Sequence, residues 1–215
     1  MKLSVVIPAR EEGVNAVITH GKIKSILLRR DIESEIIISP DDGEPHGYGL
    51  AVRRGLTRCT GDVIAIMMAD GSDDPADLVR CFHRIEVEGY DCCFGSRWDW
   101  SGSLLFRVED YPWPKLILNR IANKTIQWLF WIDYNDVTNA FKLYRREVIE
   151  AMQPLESEQF DLTVEMPLKA ITMGFTYAVI PISWTNRKVG KSKWRISELG
   201  SKYVRRVLQL WWRSL

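Results

Sequence analysis

The sequence predicts an α/β fold: a single Rossmann-like domain with a mostly parallel sheet and helices on both faces. Two observations predict it. In the first half of the chain, short apolar runs alternate with amphipathic segments of helical length, in the order β-α-β-α-β-α-β. Turn residues separate these segments, and strands joined through helices pair in parallel with right-handed crossovers.

Each element of the first half has a local reason. The strands are apolar runs, and the Ile-rich second strand ends in a turn signature, PDDG at 40–43. Gly21 weakens the first helix, whereas the third helix begins at Pro75 with Asp74 before it as the expected cap. The expected elements are strands at 3–8, 35–39, 62–68 and 91–95 and helices at 14–30, 49–58 and 75–88.

After Arg97 the alternation gives way to a less regular pattern. There is no internal repeat, no low-complexity segment and no clear linker. We therefore expect one domain over 1–195, followed by an amphipathic, membrane-associating helix over 196–215. The expected elements are helices at 115–131, 163–173 and 196–212, an added strand at 140–144, a strand at 176–182 and a basic loop at 184–194.

Composition and charge exclude several classes of protein. The chain has 215 residues, of which 46% are hydrophobic and 27% charged, so it is globular and not disordered. Its net charge of +1 gives no field that would attract nucleic acid. Residues 186–215, however, carry nine Lys or Arg and one acid, together with several tryptophans. That tail favours an anionic, partly apolar partner, most simply a membrane surface.

The cysteines and histidines show no metal or disulfide pattern. Four cysteines lack CxxC spacing and are expected to be reduced core residues of a cytosolic protein. The three histidines are scattered and predict no zinc site. The chain starts directly with a strand, which is not the pattern of a signal peptide. No apolar run reaches the roughly 18 residues that a membrane span needs.

The acidic stretch MMADGSDDP at 67–75 carries the strongest sign of chemistry. Its carboxylates follow the third strand, at the edge where open α/β sheets bind ligands. Hard oxygen ligands there suit Mg²⁺ or Mn²⁺, which in turn bridges a diphosphate. The alternative is a polar turn in which Asp73 or Asp74 caps the next helix. Capping is the expected role of Asp74, whereas Asp70 lies too early to cap.

Further motifs follow in order along the chain. They are SVVIPAREE at 4–12, PDDG at 40–43, GYGLAVRRGL at 47–56, GSR at 95–97, YPWPKLILNRIAN at 111–123, NDVTNAFKLYRREVI at 135–149, FDLTVEMPLKA at 160–170 and ISWTNRKVGKSK at 182–193. With the acidic stretch, this ordered set resembles a family 2 glycosyltransferase of the GT-A fold, in the branch of dolichol-phosphate mannosyltransferase and its polyprenyl-phosphate relatives. The resemblance covers nearly the whole chain.

The resemblance implies a nucleotide site at the first two strands. The end of the first strand would contact the nucleotide through Pro8, Arg10 and Glu12. The acid pair after the second strand, Asp41 and Asp42, would bind the base and the ribose.

The resemblance also implies a metal and phosphate site. The family's metal motif usually reads Asp-x-Asp; here its first position is Met68, so Asp70 remains as ligand of the cation and of the nucleotide, helped by Ser72. An Mg²⁺ or Mn²⁺ ion is the implied cofactor. The cationic side chains that would gather phosphates are Arg97, Lys115, Arg187 and Lys193. As single residues these four could equally be solvated surface charges.

The implied reaction is inverting transfer of a hexose from a GDP- or UDP-sugar to a polyprenyl phosphate. The acceptor phosphate is already anionic near neutral pH, so no strong base is needed. Glu165 stands where other family 2 enzymes place a base, and a structural or orienting role is at least as well supported. The implied location is the cytoplasmic face of a membrane, held peripherally; a membrane-anchoring partner subunit is left open.

Two departures from the family pattern keep alternatives open. Only three residues separate Gly43 from Gly47, where relatives carry a Ser-x-Asp turn, a helix and a further strand. Met68 replaces an acid. One alternative is therefore a catalytically inactive homologue that binds nucleotide-sugars. Another is a family 2 enzyme with a polysaccharide or soluble acceptor, against which the basic, Trp-rich tail argues.

Overall fold

The computed structural model describes residues 1–9, 13–40, 46–98, 108–109, 113–185 and 196–214. Its strands are β1 (Leu3–Ala9), β2 (Ser34–Pro40), β3 (Val63–Ile66), β4 (Cys92–Ser96), β5 (Val108–Glu109), β6 (Lys142–Arg145), β7 (Tyr177–Pro181) and β8 (Trp184–Thr185). Its helices are α1 (Gly13–Arg29), α2 (Tyr48–Leu56), α3 (Pro75–Glu86), α4 (Trp113–Phe130), α5 (Arg146–Ala151), α6 (Leu162–Thr172) and α7 (Ile196–Ser214).

Six strands form one sheet in the order β2-β1-β3-β6-β4-β7. The pairs β1–β2, β1–β3 and β4–β7 are parallel, whereas β6 runs antiparallel to both of its neighbours. The predicted α/β domain with a mostly parallel sheet is thus confirmed, and the added strand predicted at 140–144 lies in its middle. The short strands β5 and β8 form a separate parallel pair.

Helices cover both faces of the sheet and enclose two apolar layers. On one face, Ile23 and Leu27 of α1 and Leu78 and Phe82 of α3 pack on the sheet. On the other face, residues of α2, α5, α6 and α7 pack around Tyr144. All four cysteines are buried in these layers and unbridged, as predicted.

Three elements were not predicted from the sequence. β5 and β8 have two residues each, which is too short for any periodicity to show. The short helix α5 follows β6 directly, without a turn signal between them. β8 nevertheless matters for the site, because it joins the acidic stretch through a bridge between Asp73 and Trp184.

The terminal helix α7 packs on α6 with part of its apolar residues. Val207 is 8% and Leu210 5% exposed, and the Tyr203 hydroxyl lies 3.1 Å from the Thr163 hydroxyl. The sequence predicts by helical spacing an apolar stripe of Leu199, Tyr203, Val207, Leu210 and Trp211, which we expect to face a membrane, with packing on the sheet as the alternative. The membrane-facing expectation is wrong for Val207 and Leu210, which are buried in the apolar layer, and for Tyr203, which packs against that layer and contacts Thr163 of α6. The expected division into a domain and a membrane-associating helix stays a prediction.

The exposed apolar side of α7 is a different stripe, Val204, Leu208 and Trp212. The neighbouring helix α4 also exposes large apolar side chains. They are Ile117, Leu118, Ile121 and Trp128, with Trp131 just beyond its end. Among the described residues, no helix has both the length and the apolar character that crossing a bilayer requires.

Candidate functional site

The acidic stretch forms a tight turn at the end of β3. Oδ1 of Asp70 accepts hydrogen bonds from the backbone N–H of Ser72 at 3.1 Å and from its hydroxyl at 2.5 Å. Gly71 makes this turn possible, since its φ of +72° is unfavourable for other residues. Ser72 itself is buried, and its carbonyl accepts the N–H of Thr185 at 3.0 Å. In the structure, Ser72 therefore orients the Asp70 carboxylate.

Asp73 lies beside this turn and is buried. It is 6% exposed, and its Oδ2 accepts the backbone N–H of Met68 at 3.3 Å. Burial, helped by the negative charge of Asp70, raises the pKa of Asp73 to about 7. Asp74, by contrast, caps α3, because its Oδ1 accepts the N–H of Ala76 at 2.9 Å. The expected capping role of Asp74 is confirmed, whereas Asp73 belongs to the acidic site.

Arg97 follows β4 and is held by a buried carboxylate. Its Nε and Nη2 donate to the two oxygens of Asp136 at 2.8 and 2.7 Å, and its backbone N–H donates to the same carboxylate at 3.0 Å. Asp136 is fully buried, and the Arg97 side chain is 10% exposed. The guanidinium also lies over the Trp184 ring, 5.9 Å from its centroid. Two-point pairing of this kind fixes the plane of the guanidinium as well as its position.

The segment that carries Asp136 is bonded to the end of β4. The Ser96 hydroxyl donates to Oδ1 of Asn135 at 2.6 Å. The carbonyl of Gly95 accepts from the Tyr134 hydroxyl at 3.0 Å and from the Asn139 amide at 3.1 Å. The Asn-Asp-Val-Thr-Asn run at 135–139 thus supplies polar side chains that form hydrogen bonds with groups at the end of β4. Both partners are buried away from water, so each needs the other as its hydrogen-bond partner.

Lys142 lies inside the sheet, beneath the same segment. It is 2% exposed, and its ammonium donates to the carbonyls of Val137, at 3.0 Å, and of Asn139. Burial lowers the pKa of Lys142 to about 7, although the charge of Asp136 opposes that shift. The amine sits 5.7 Å from the centroid of the Tyr134 ring. Lys142 thus ties the 135–139 segment to β6.

These groups form one charged cluster at the carboxyl ends of β3 and β4. The charge of Asp70 raises the pKa of Asp73 and that of Arg97 lowers it. The charges of Asp136 and Arg97 act in the same way, in opposite directions, on the pKa of Lys142. A cation and an anionic ligand can be accommodated here side by side, because carboxylates and a guanidinium are held at the same edge.

The donor set fits a divalent cation that is shared with a substrate. Among the described residues, no three His, Cys, Asp or Glu side chains form a metal cage. Mg²⁺ does not need one, since it is commonly bound by one or two carboxylates together with substrate phosphates and water. Asp70 supplies an oriented carboxylate, and the mutual repulsion of Asp70 and Asp73 favours a cation nearby.

Several predicted site residues lie in or beside the cluster, and several lie outside the described residues. Asp70, Ser72 and Arg97 are brought together. Pro8 is buried in β1, opposite Ser39 of β2. Lys115 falls in the first turn of α4, and its side chain is not among those described. The predicted residues outside the described part of the chain are Arg10, Glu12, Asp41, Asp42, Arg187 and Lys193.

Glu165 has a structural environment. Its two carboxylate oxygens accept the backbone N–H groups of Glu156 at 2.8 Å and Ser157 at 2.7 Å, and Lys169 lies 2.9 Å away. Burial alone would raise the pKa of Glu165, but these hydrogen bonds outweigh it and hold the pKa below its usual value. The structural role considered for Glu165 is the one that this geometry supports.

The loop that Glu165 holds shapes the start of α2. A Cβ on Gly47 would lie 2.3 Å from the Glu158 carbonyl oxygen, and one on Gly49 2.4 Å from that of Ser157. Only glycine allows this approach. The Gly-Tyr-Gly sequence therefore fits a loop that is itself fixed by Glu165.

Sequence reasoning did not single out Asp136 and Lys142. Both lie within the NDVTNAFKLYRREVI motif, which supported the resemblance without a role for any of its residues. A single lysine in a run that is otherwise apolar and strand-like, Ala-Phe-Lys-Leu-Tyr at 140–144, is the signal that could have found Lys142.

By sequence, the chain matches a family model and several curated proteins. The family model described as Glycosyl transferase family 2 matches residues 41–152. Among curated proteins, the polyprenol monophosphomannose synthase of Mycolicibacterium smegmatis is 32% identical over 149 residues, 68% of this chain and 52% of that protein. The undecaprenyl-phosphate mannosyltransferase of Micrococcus luteus is 22% identical over 219 aligned residues, 90% of this chain and 87% of that protein. The match thus spans about half the length of the first relative.

Solved structures share the fold at low sequence identity. Glucosyl-3-phosphoglycerate synthase from Mycobacterium tuberculosis, solved with Mn²⁺, UDP and phosphoglyceric acid, superimposes with a TM-score of 0.64 at 12% identity, covering 98% of this chain and 78% of that one. Mannosyl-3-phosphoglycerate synthase from Rubrobacter xylanophilus gives a TM-score of 0.66 at 15% identity, covering 99% and 73%. Identities this low bear on the architecture alone, and that architecture is the one predicted.

Proposed function

This chain belongs to glycosyl transferase family 2, and we propose that it transfers a hexose from a nucleotide-diphosphate sugar to the phosphate of a polyprenyl lipid. The observation that carries the proposal is that two relatives matched along the sequence are named for mannose and for a polyprenol or undecaprenyl-phosphate acceptor. Mannose is therefore the first sugar to test. GDP and UDP donors both remain candidates.

The donor would be held at the end of β3. Asp70 is the residue proposed to bind a divalent cation, Mg²⁺ or Mn²⁺, with the donor diphosphate completing its coordination. When bound, that cation neutralises charge on the diphosphate as it leaves. Ser72 keeps the Asp70 carboxylate in one orientation, so less reorganisation is needed on binding. A solved fold relative binds Mn²⁺ and UDP, which supports a divalent cation here.

The acceptor would enter on the Arg97 side of the cluster. Its phosphate oxygen forms a bond to the anomeric carbon as the bond from that carbon to the diphosphate breaks, and the nucleoside diphosphate departs. A single displacement inverts the anomeric configuration. The acceptor phosphate is anionic near neutral pH, so the reaction requires no base, in keeping with the occupied carboxylate of Glu165. Arg97, with its guanidinium plane fixed by Asp136, would offset repulsion between two anions.

A peripheral membrane contact would bring the enzyme to such an acceptor. The exposed apolar side chains of α4 and α7 lie on neighbouring helices, with Lys124, Lys202 and Arg205 exposed among them. We call this surface the α4–α7 face. Apolar side chains, indole rings and cations together suit the headgroup region of an anionic bilayer. We place the protein on the cytoplasmic face of a membrane; a membrane-anchoring partner subunit stays a prediction.

The decisive experiment offers several acceptors to the purified chain. GDP-mannose or UDP-glucose is mixed with Mn²⁺ and a short polyprenyl phosphate, and the hexosyl lipid is measured by mass spectrometry. The unphosphorylated polyprenol and a soluble phosphorylated acceptor serve as controls. Product on the lipid phosphate alone supports the proposal. Product on the soluble acceptor alone favours the soluble-acceptor alternative, and donor binding without any product favours the inactive homologue.

A further inference from the structure

A cavity of about 450 Å³ opens between the C-terminal ends of α4 and α7, within the α4–α7 face. Two of the residues that line it carry hydroxyls, and the others are large and apolar: Trp128, Leu129, Phe130, Trp131 and Trp211. Among the described residues of this lining, none is charged. The volume is in the range of small-ligand sites, and an uncharged, largely aromatic lining favours an apolar ligand.

Trp131 holds an unfavourable backbone conformation at the mouth of α4. Its φ is +52°, in the left-handed region. The N–H of Ile132 donates to the carbonyl of Gln127 at 3.3 Å, so the helix ends in a Schellman motif. Trp131 therefore occupies the position that glycine usually takes in this motif. A Cβ is strained there, and for a bulky side chain the conformation is rare.

The end of α1 shows the same backbone conformation with a side chain that tolerates it. Asp31 also has a φ of +52°, and short polar side chains adopt this conformation more readily than an indole does. At Trp131 the cost is not offset by packing in the core, because the residue is 90% exposed. Backbone strain of this kind is concentrated at ligand-binding and active sites. The strain and the exposure together indicate that the indole serves a ligand.

The cavity lies within reach of the proposed acceptor site. Arg120 of α4 donates through Nη1 to the Asn135 carbonyl at 3.2 Å. The next residue, Asp136, holds the guanidinium of Arg97. At about 1.5 Å per residue, Trp131 lies about 16 Å further along the axis of α4. A lipid chain joined to a phosphate at Arg97 can span that distance with its first few isoprene units.

We propose that this cavity, which we call the Trp131 pocket, binds the isoprenoid chain of the acceptor lipid a few units away from its phosphate. The inference rests on the proposed function, because it takes the phosphate to be bound at Arg97. The chain is as apolar as the lining, and burying it against indole rings removes the apolar surface of both from water. The pocket thereby sets a minimum acceptor length, since a chain too short to reach Trp131 lacks this part of the binding free energy.

The first test is titration calorimetry of the purified chain with two lipid phosphates, without nucleotide-sugar or vesicles. Geranylgeranyl phosphate is long enough to reach the pocket, and isopentenyl phosphate is not. Trp131→Gly and Trp128→Ala should each weaken binding of the longer probe at least about tenfold, as for other large aromatic contacts, and leave the shorter one unchanged. Asp31→Gly, the same change at the matching end of α1, is the control. Absent binding of the longer probe, or equal affinities in all variants, overturns the proposal.

The second test separates a role in ligand binding from a role in the fold. Trp131→Gly should raise the Tm by a few degrees, because glycine adopts the left-handed conformation without strain. Trp131→Phe, which keeps an aromatic ring, should retain more of the affinity for geranylgeranyl phosphate. A lower Tm for Trp131→Gly would show that the indole stabilises the fold, and would overturn the proposal.

The source of the bound chain is tested with anionic vesicles that contain no polyprenyl phosphate. If Trp131→Gly weakens co-sedimentation with them and leaves the affinity for geranylgeranyl phosphate unchanged, the pocket takes bilayer acyl chains and the proposal is wrong. None of these readouts needs glycosyl transfer. A chain that binds geranylgeranyl phosphate through Trp131 without transferring a sugar would refute the proposed function alone. Equal transfer to that acceptor by wild type and Trp131→Gly would refute this inference alone.

Discussion

Arg97 and Asp136 form a buried two-point ion pair at the end of β4, with N–O distances of 2.8 and 2.7 Å. The pair links two motifs that lie far apart in the sequence, Gly-Ser-Arg and Asn-Asp-Val-Thr-Asn. The Asp136 carboxylate accepts hydrogen bonds from both the side chain and the backbone N–H of Arg97. It therefore fixes the position of the Arg97 guanidinium.

The Arg97–Asp136 pair should be needed for acceptor use. Asp136→Asn leaves the guanidinium without its counter-charge, and breaking a buried pair costs about 3–5 kcal/mol of unfolding free energy. We expect a lower Tm and a raised KM for the lipid phosphate, with nucleotide affinity nearly unchanged. Asp133→Asn, exposed and three residues away, is the control. A loss of nucleotide affinity with normal acceptor kinetics would contradict the assignment of Arg97 to the acceptor.

Asp70 should be needed for the metal-dependent step. Asp70→Ala removes the proposed cation ligand while leaving the core intact, so transfer with Mn²⁺ should fall at least about 10²-fold, as for other losses of electrostatic stabilisation. Asp74→Ala is a matched control from the same loop, because its carboxylate caps α3 and should affect stability by about 1 kcal/mol. Near-normal turnover of the Asp70 variant with Mn²⁺ would remove Asp70 from the site.

Features of the site that depend on neighbouring residues in the sequence can be predicted from it, whereas contacts between distant segments cannot. The strand–helix alternation and the Asp74 cap are local, so they could be predicted. The pairing of Arg97 with Asp136 and the contact between β8 and the acidic stretch join distant segments, and no local pattern reports them.

The terminal helix shows the same limit in another form. Its periodicity correctly indicated an amphipathic helix, but α7 has apolar residues on two sides. Val207 and Leu210 are buried in the apolar layer, whereas Val204 and Leu208 are exposed. Only the position of the neighbouring helix decides which stripe is covered.

Glu165 should act as a structural residue. Its carboxylate accepts two backbone N–H groups, and Gln cannot replace both acceptors. We expect Glu165→Gln to lower the unfolding free energy by about 3–5 kcal/mol. Transfer measured well below the melting temperature should be retained. Glu150→Gln, on the exposed side of α5, is the control. A variant with normal Tm and abolished turnover would instead identify Glu165 as a base.

Glu156 should give stability that depends on acid pH. Hydrogen bonds from Arg213 and Arg206 of α7 lower the pKa of Glu156 from 4.5 to about 2. A carboxyl whose pKa is lower in the folded state stabilises the fold above its unfolded pKa, and that contribution is lost as pH falls from about 4.5 towards 2. Urea unfolding should show wild type more stable than Glu156→Gln at pH 6, and the gap should close near pH 2. Glu158→Gln, two residues away and exposed, is the matched control variant.

The α4–α7 face should bind anionic membranes. Val204, 60% exposed on α7, and Trp212, 75% exposed, would enter the headgroup region, while Lys202 and Arg205 contribute about 1 kcal/mol each near an anionic surface. Co-sedimentation should therefore show binding to anionic vesicles that weakens with salt and is poor with neutral vesicles. Val204→Glu should reduce it, because a carboxylate is both polar and repelled. Val87→Glu, the same change at a residue 64% exposed just after α3, should not. Equal binding to both lipid types, or equal loss in both variants, would show that this face is not the one that meets the membrane.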